Sequence, residues 1–403
     1  MKFDLFFSLC QTAVDGYLPS ERQMFINLFD QVRHADKLGF SCAWLGESHL
    51  STSIQQGNPN PVVPEFQGEI SLNTDTFQMG HRIFAMTERL EVGIAVLNIL
   101  CNGGPIARAE QVKTFLTLHG LDPTEKRKLH VGFGRGRFPF SNRPYGTEAR
   151  NALERACWPA LRGKLLAEAT EIFLRFLRGD AFSSRDVAQK HLKRQDFCNE
   201  QDWQLLLKLY GEHVDQVGFP PFWTFEKTGV IPNEARLDLL ELIIGTHEPE
   251  NQVLANQFMP CGVFNLSITP NLEIEDTHRR MQHAYHPSGG GWQREYLPRT
   301  VMVFIDNSPG ISDAERNRRA QEKAEAAMQS FWKAMSKTVD PERMKNAVKN
   351  QLVGSPESIR DQIHESFHPQ DRLMTWFDYH NHDPASVKQN MSWFMEEVVP
   401  YFA

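Results

Sequence analysis

Residues 90–138 read LEVGIAVLNILCNGGPIARAEQVKTFLTLHGLDPTEKRKLHVGFGRGRF, and the reading of this stretch decides the fold. Its two ends, LEVGIAVLNIL (90–100) and KLHVGFG (128–134), are short apolar runs bounded by glycine, asparagine and charged residues, which is how a buried strand is written. Between them Pro105 opens a helical stretch to about Leu118, since the first turn of a helix does not need the N–H that proline lacks. Strand, helix, strand is the unit that lays two strands parallel, because a parallel return needs a long crossover.

The alternation continues outward in both directions. KFDLFFSL (2–9) is a strand, followed by a helix over 21–38 with Phe25, Leu28, Phe29, Val32, Ala35 and Leu38 at helical spacing. FSCAWLGE (40–47) is the next strand, and a helix over 76–88 leads into 90–100. Beyond 134 come a long helix over about 148–178 and the strands DLLELIIG (238–245), CGVFNLSIT (261–269), TVMVFID (300–306) and LMTWFDYH (373–380). Eight strands, each with a helix behind it, predict an α/β chain folded as one (β/α)8 TIM barrel over 1–403, with its chemistry where the strands end. An open doubly wound sheet would carry a Gly-rich first turn, which SLCQTAVDGY (8–17) does not supply. Insertions interrupt the rhythm at 51–74, 179–235 and 285–298, the last expected at the end away from the chemistry.

Composition narrows the function. The chain has 403 residues, 41% hydrophobic and 23% charged, with a formal net charge of −7. No run approaches the roughly 18 apolar residues that span a bilayer, so no membrane role is expected. No concentrated basic face is present, so no nucleic-acid role is expected either. Six scattered cysteines read as free thiols of a cytoplasmic chain, and the expected partner is a small molecule.

The turn GFGRGRF (132–138) departs from G-x-G-x-x-G because position 137 is Arg, and it is not a P-loop. Arg135, between Gly134 and Gly136, can reach a phosphate in bidentate geometry; a rim salt bridge is the bland alternative. Thr246 and His247 follow a strand and precede a helix, a ready anion site unless Thr246 is simply a cap. Other strand-end residues are Cys10, Glu47, Ser48, His49, Asn98, Cys101, Asn102, Thr269, Asp306, Tyr379, His380 and His382. Glu47, two residues before His49, can share its side of the strand and fix the imidazole tautomer, although a structural histidine would look the same. The pair His380 and His382 could offer two metal ligands, but no metal is expected. No hydrolase elbow or kinase signature appears.

Five segments resemble, in order, pieces of the bacterial luciferase-like flavin-dependent monooxygenases: HADKLGFSCAWLGESHL (34–50), ERLEVGIAVLNILCNGGPIARAEQVKTFLTLHG (88–120), LHVGFGRGRF (129–138), LVGSPESIRDQI (352–363) and NMSWFMEEVVPYF (390–402). The resemblance implies a luciferase-like barrel that uses reduced FMN and O2, through a peroxyflavin, to oxygenate a small organic substrate. Reduced flavin would come from a separate NAD(P)H:flavin reductase, and the chain would pair as a homodimer. It also implies that Arg135, Gly134, Gly136, Asn98, Thr246 and His247 hold the flavin, and that His49, Glu47, His247 and His380 carry catalysis. Where many members write Glu-His-His, this chain has Glu47, Ser48 and His49, so proton handling shifts toward His49. A hydride-transferring F420 enzyme on the same barrel, or a flavin-binding protein without turnover, are the alternatives. Phe222, Trp223 and Phe225 in the 179–235 insertion are expected to form a lid, a substrate wall or a dimer contact.

Overall fold

Short runs with buried side chains on both faces form strands, and a parallel sheet needs helices on its outside to cover it. The computed structural model describes residues 1–136, 138–211, 214–335 and 340–402. Its strands are β1 (Lys2–Phe7), β2 (Cys42–Leu45), β3 (Glu91–Asn98), β4 (Leu129–Gly134), β5 (Lys190–Lys193), β6 (Gln216–Phe219), β7 (Leu240–Ile244), β8 (Cys261–Val263), β9 (Arg299–Ile305), β10 (Leu352–Gly354) and β11 (Arg372–Trp376). Its helices are α1 (Glu21–Leu38), α2 (Thr52–Gln55), α3 (Thr76–Met86), α4 (Gly104–His119), α5 (Ala152–Ala156), α6 (Trp158–Arg178), α7 (Glu200–Tyr210), α8 (Pro249–Phe258), α9 (Asn271–Ala284), α10 (Asp313–Met335), α11 (Pro341–Lys349), α12 (Pro356–Ser366) and α13 (Pro384–Glu397).

The main sheet runs β10-β9-β11-β1-β2-β3-β4-β7-β8, and every pairing in it is parallel. The outer strands approach one another: Asn265 bridges Arg299 in the parallel sense, and its N–H donates to the Pro298 carbonyl at 2.9 Å. The architecture is therefore the expected α/β TIM-barrel class, with the joint between β8 and β9 reduced to one bridge. β9 pairs with β11 over Arg299–Met302 and with β10 over Val303–Ile305, so β10 is a ninth strand that the eightfold reading did not contain.

Three boundaries differ from the sequence reading. The run 261–269 is strand only as far as Val263, and 373–380 only as far as Trp376, because the chain turns inward there. The helix over 148–178 is two helices broken at Cys157, since Pro159 cannot donate the hydrogen bond that would carry α5 into α6. The 179–235 insertion holds an antiparallel hairpin, β5 with β6, and its aromatics form no lid. Phe222, Trp223 and Phe225 pack on the main core outside the barrel, where buried Glu168 of α6 accepts from the Phe222 N–H at 2.7 Å.

Inside the barrel Cys42, Trp44, Ile243, Phe264 and Met374 form a packed layer. Beneath it, at the amino-terminal end of the strands, lies a buried ionic network. Asp4 accepts from Trp44 Nε1 at 2.7 Å and from Arg372 Nε at 2.5 Å. His130 lies between Glu91 at 2.6 Å and Glu241 at 3.0 Å. Burial works against charge on Glu241, but His130 and Lys128 win and hold its carboxyl well below the usual range. Burial and Arg372 oppose charge on His130, and the two carboxylates raise it. A depressed carboxylate stabilises the fold above its unfolded pKa, and that contribution is lost as pH falls through the folded value.

Asp4→Ala would leave the Arg372 guanidinium buried without its hydrogen-bonded carboxylate, with only Glu241 at 3.8 Å. The expected loss is about 3–5 kcal/mol in equilibrium urea unfolding. A loss below about 1 kcal/mol would mean that the pair is not holding the barrel floor.

Candidate active site

A cavity of about 670 Å³ opens where the strands end. That is within the range that holds a cofactor or drug-sized ligand. β2 runs out into Gly46, Glu47, Ser48 and His49; β4 into Arg135 and Gly136; β7 into Gly245 and His247; and all of these line the cavity. A bulge in β3 between Ile94 and Leu97 turns Ala95 and Val96 into it as well, and the Ala95–Val96 peptide is cis.

The β4 turn is fixed from beneath. Asn98 donates to Asn142 at 2.6 Å, and Asn142 donates to the Arg135 carbonyl at 3.2 Å. Gly136 has φ +70°, and a Cβ there would lie 2.2 Å from the Asn98 amide nitrogen, so the turn needs glycine on both counts. A Cβ on Gly134 would stand 3.0 Å from the Gly245 carbonyl oxygen, which brings the β4 and β7 corners close together. Arg135 Nη1 lies 3.7 Å from Glu248 while 43% of its side chain remains exposed, a contact worth little in water.

Beside it stands Arg162 of α6, which the sequence reading missed. It lines the cavity half-buried and has no hydrogen-bond or ion-pair partner among the described residues. Burial and the charge of Arg135 both push its pKa below the usual guanidinium value. Two like charges face one space, with the exposed Glu248 beside Arg135. The signal was available in the sequence, because Arg162 shares the helical spacing of Leu165, Leu166 and Ala169, all buried.

His247 lines the same cavity, with Nδ1 2.8 Å from Glu273; that carboxylate also takes Arg343 at 3.0 Å. Burial, ahead of Glu273, lowers the His247 pKa. Thr246 stays outside the lining. Its hydroxyl accepts the Glu248 N–H at 3.2 Å, the capping use of such a residue. His380 is outside it too, because β11 ends at Trp376 and the chain has turned by residue 380, where φ is +56°. Trp376 and Tyr379 take the places facing the cavity. Gly134, Cys101, Asn102, Thr269, Asp306 and His382 do not line it either, while Cys10, Ser48 and Asn98 do.

At the β2 end three charged groups interlock. Glu47, His49 and Arg108 have side chains 1%, 6% and 1% exposed. Arg108 Nη2 reaches Glu47 Oε1 at 3.1 Å and His49 Nε2 at 2.9 Å, and His49 Nε2 is 3.1 Å from Glu47 Oε1. Thr76 closes the other side of Glu47, its hydroxyl donating at 2.8 Å. A guanidinium only donates, so when Arg108 addresses Nε2 that nitrogen offers its lone pair and the ring proton sits on Nδ1. Burial also disfavours the imidazolium, but its hydrogen bonds to Cys101 and Glu47 outweigh that and raise His49 to about 9. Arg108 was missed by the sequence reading, although its spacing to Val112, Phe115 and Leu116 puts it on the buried face of α4.

The strand-end cavity of this parallel barrel thus brings together two arginines and a buried acid–imidazole pair. Residues 1–199 match the model of the luciferase-like monooxygenase family. Among solved structures, monooxygenase RslO1 from Streptomyces bottropensis is similar at TM-score 0.66 and 16% identity, with 100% of both chains covered. The oxygenating constituent of 3,6-diketocamphane monooxygenase from Pseudomonas putida, solved with FMN, gives 0.57 and 14%, covering 99% of this chain and 98% of that one. An F420-dependent secondary alcohol dehydrogenase, solved with an F420–acetone adduct, gives 0.56 and 14%, covering 100% and 99%. At these identities the likeness is one of fold. No curated protein sequence matches the chain significantly. No helix among the described residues is long and apolar enough to cross a membrane.

Glu47 is one of the groups raising the His49 pKa, so Glu47→Gln is expected to lower it. NMR titration of the imidazole measures this. The sign for stability follows: with its folded pKa above the unfolded value, His49 contributes fully below about 6.5 and that contribution fades as pH rises through about 9. A titration midpoint in Glu47→Gln at or above that of the parent chain would show that the carboxylate does not hold this proton.

Proposed function

We propose that the chain is a monooxygenase that binds reduced FMN with its phosphate between Arg135 and Arg162 and oxygenates a small organic substrate with O2. One observation carries this reading: the unpaired Arg162 guanidinium beside Arg135 in a cavity large enough for a flavin. Two adjacent cations with only the solvent-exposed Glu248 beside one of them repel, and a dianion between them turns that repulsion into two charge-assisted contacts. Gly136 and Gly245 keep the backbone low on either side, and His247 adds a third nitrogen at the same rim.

Reduced FMN supplies the electrons that activate O2; with the substrate it becomes oxidised FMN, oxygenated product and water. The protein's part is to hold, orient and exclude water. Ala95 and Val96 offer an apolar shelf for a flat ring system. His49, neutral through Nε2 when Arg108 addresses it and charged when Glu47 does, is the group that can hold or release a proton. Ser48 beside it has a hydroxyl that cannot act as a base unaided. The reduced flavin would be delivered by a separate NAD(P)H:flavin reductase.

Anaerobic titrations with reduced FMN, with reduced riboflavin and with F420 test the reading. FMN is expected to bind more tightly than riboflavin. Arg162→Ala should remove about 1.5–3 kcal/mol of FMN binding and leave riboflavin unchanged. Equal affinity for riboflavin and FMN would defeat the phosphate assignment. Retention of F420 in place of FMN would make the chain a hydride-transfer enzyme on the same barrel.

A further inference from the structure

The cavity is divided by charge. Its ionisable lining groups, Glu47, His49, Arg135, Arg162, His247 and Arg343 among them, come from the ends of β2, β4 and β7 and from α6 and α11. The wall across the barrel is built from β1, β11, α10 and the 51–74 insertion, and it is lined by rings: Phe6, Phe66, Phe331, Trp376 and Tyr379. Cys10, on the same wall, stays a neutral thiol because burial pushes it up to about 12. No Lys, Arg, Asp or Glu side chain from these four elements lines the cavity among the described residues.

The rings meet edge to face. Trp376 is the hub: Phe6 lies 4.9 Å from it at 84°, Tyr379 4.9 Å at 65°, and Phe331 6.5 Å at 86°. Phe331 and Tyr379 also cross, at 5.8 Å and 88°. The array is anchored from behind, because Phe66, Phe331, Tyr379, Met302, Met328 and Met344 share an apolar cluster separate from the main core. Such a wall is a perpendicular herringbone, its rings mostly buried against one another and bordering the ligand space. Aromatic pairs in this geometry gain about 0.5–1.5 kcal/mol beyond the area they bury, whereas a saturated ligand of the same shape gains only the area. Among the described residues this wall offers an ionised ligand no opposite charge to offset the hydration it would lose.

We infer that the substrate is an uncharged, flat aromatic molecule, its ring system continuing the herringbone against Phe331, Trp376 and Tyr379. The inference deepens the proposed monooxygenase reading, since it supplies the substrate class for the side of the cavity that the flavin phosphate does not use. The wall explains why the 51–74 insertion is retained over the barrel: it brings Phe66 and Ile70 to close the slot above β1.

Three probes of one skeleton test it by calorimetry, with the protein alone and again saturated with FMN: 2-acetylnaphthalene, its ring-saturated counterpart 2-acetyldecalin, and naphthalene-2-carboxylate. The acetylnaphthalene is expected to bind about tenfold or more tightly over both others, the equivalent of one or two ring contacts. Phe331→Leu and Trp376→Leu, which keep the wall apolar, are expected to cost the aromatic probe about fivefold and the saturated probe less than twofold, with FMN affinity unchanged. Equal affinity for the saturated probe, tighter binding of the carboxylate, or leucine variants that treat both neutral probes alike would each overturn the inference. The proposed function fails separately: loss of FMN binding with the ring preference intact would remove the flavin and leave the aromatic site standing.

Discussion

Every strand of the main sheet points the same way, and that constraint organises the molecule. Parallel pairing forces each return through a helix on the outside, so all the carboxyl ends gather at one mouth and all the amino ends at the other. The two ends then take different work. The amino end is plugged by Asp4, Glu91, His130, Glu241 and Arg372, whose charges are satisfied by one another. The carboxyl end is left open, and its charges are not all satisfied. Stability and chemistry are thus separated along the barrel axis, which lets residues at the mouth stay reactive without unfolding the chain.

At the mouth the arrangement of charge follows from the helices as much as from the strands. Arg108 enters from α4 to address Glu47 and His49, and Arg162 enters from α6 to stand beside Arg135. In the first case the cation meets a buried carboxylate and the pair is closed. In the second it stands beside another cation at the cavity. The same residue type, sent inward from neighbouring helices, serves as an internal brace in one place and lines the cavity in the other.

The barrel was legible because its strands are apolar runs between clear helical stretches: β1, β2, β3, β4 and β7 lie inside the segments read for them, and β9 begins one residue before its own. What escaped has physical reasons. β10 is three residues long, too short for any period to register, and β5 and β6 carry polar residues that read as loop. In the site, Glu47, His49, Arg135 and His247 were legible because a strand end announces its position. His380 was misplaced by reading β11 four residues too far, and Thr246 went to capping. Arg108 and Arg162 were missed because a lone arginine on a helix is ordinarily solvated; only packing against a barrel turns it inward. Phe222, Trp223 and Phe225 were read as a lid, a substrate wall or a dimer contact because their run is aromatic; the main-chain anchor to Glu168 holds them against the main core, outside the cavity lining.

The early end of β8 has a consequence of its own. After Val263 the chain leaves the ladder except for the bridge at Asn265, and it delivers Phe264, Leu266, Ser267 and Ile268 to the cavity in succession. A strand can offer a pocket only alternate side chains, but a released segment can offer neighbours. Side-chain substitutions here would recontour the chamber while leaving the pairing of β7 with β8 in place.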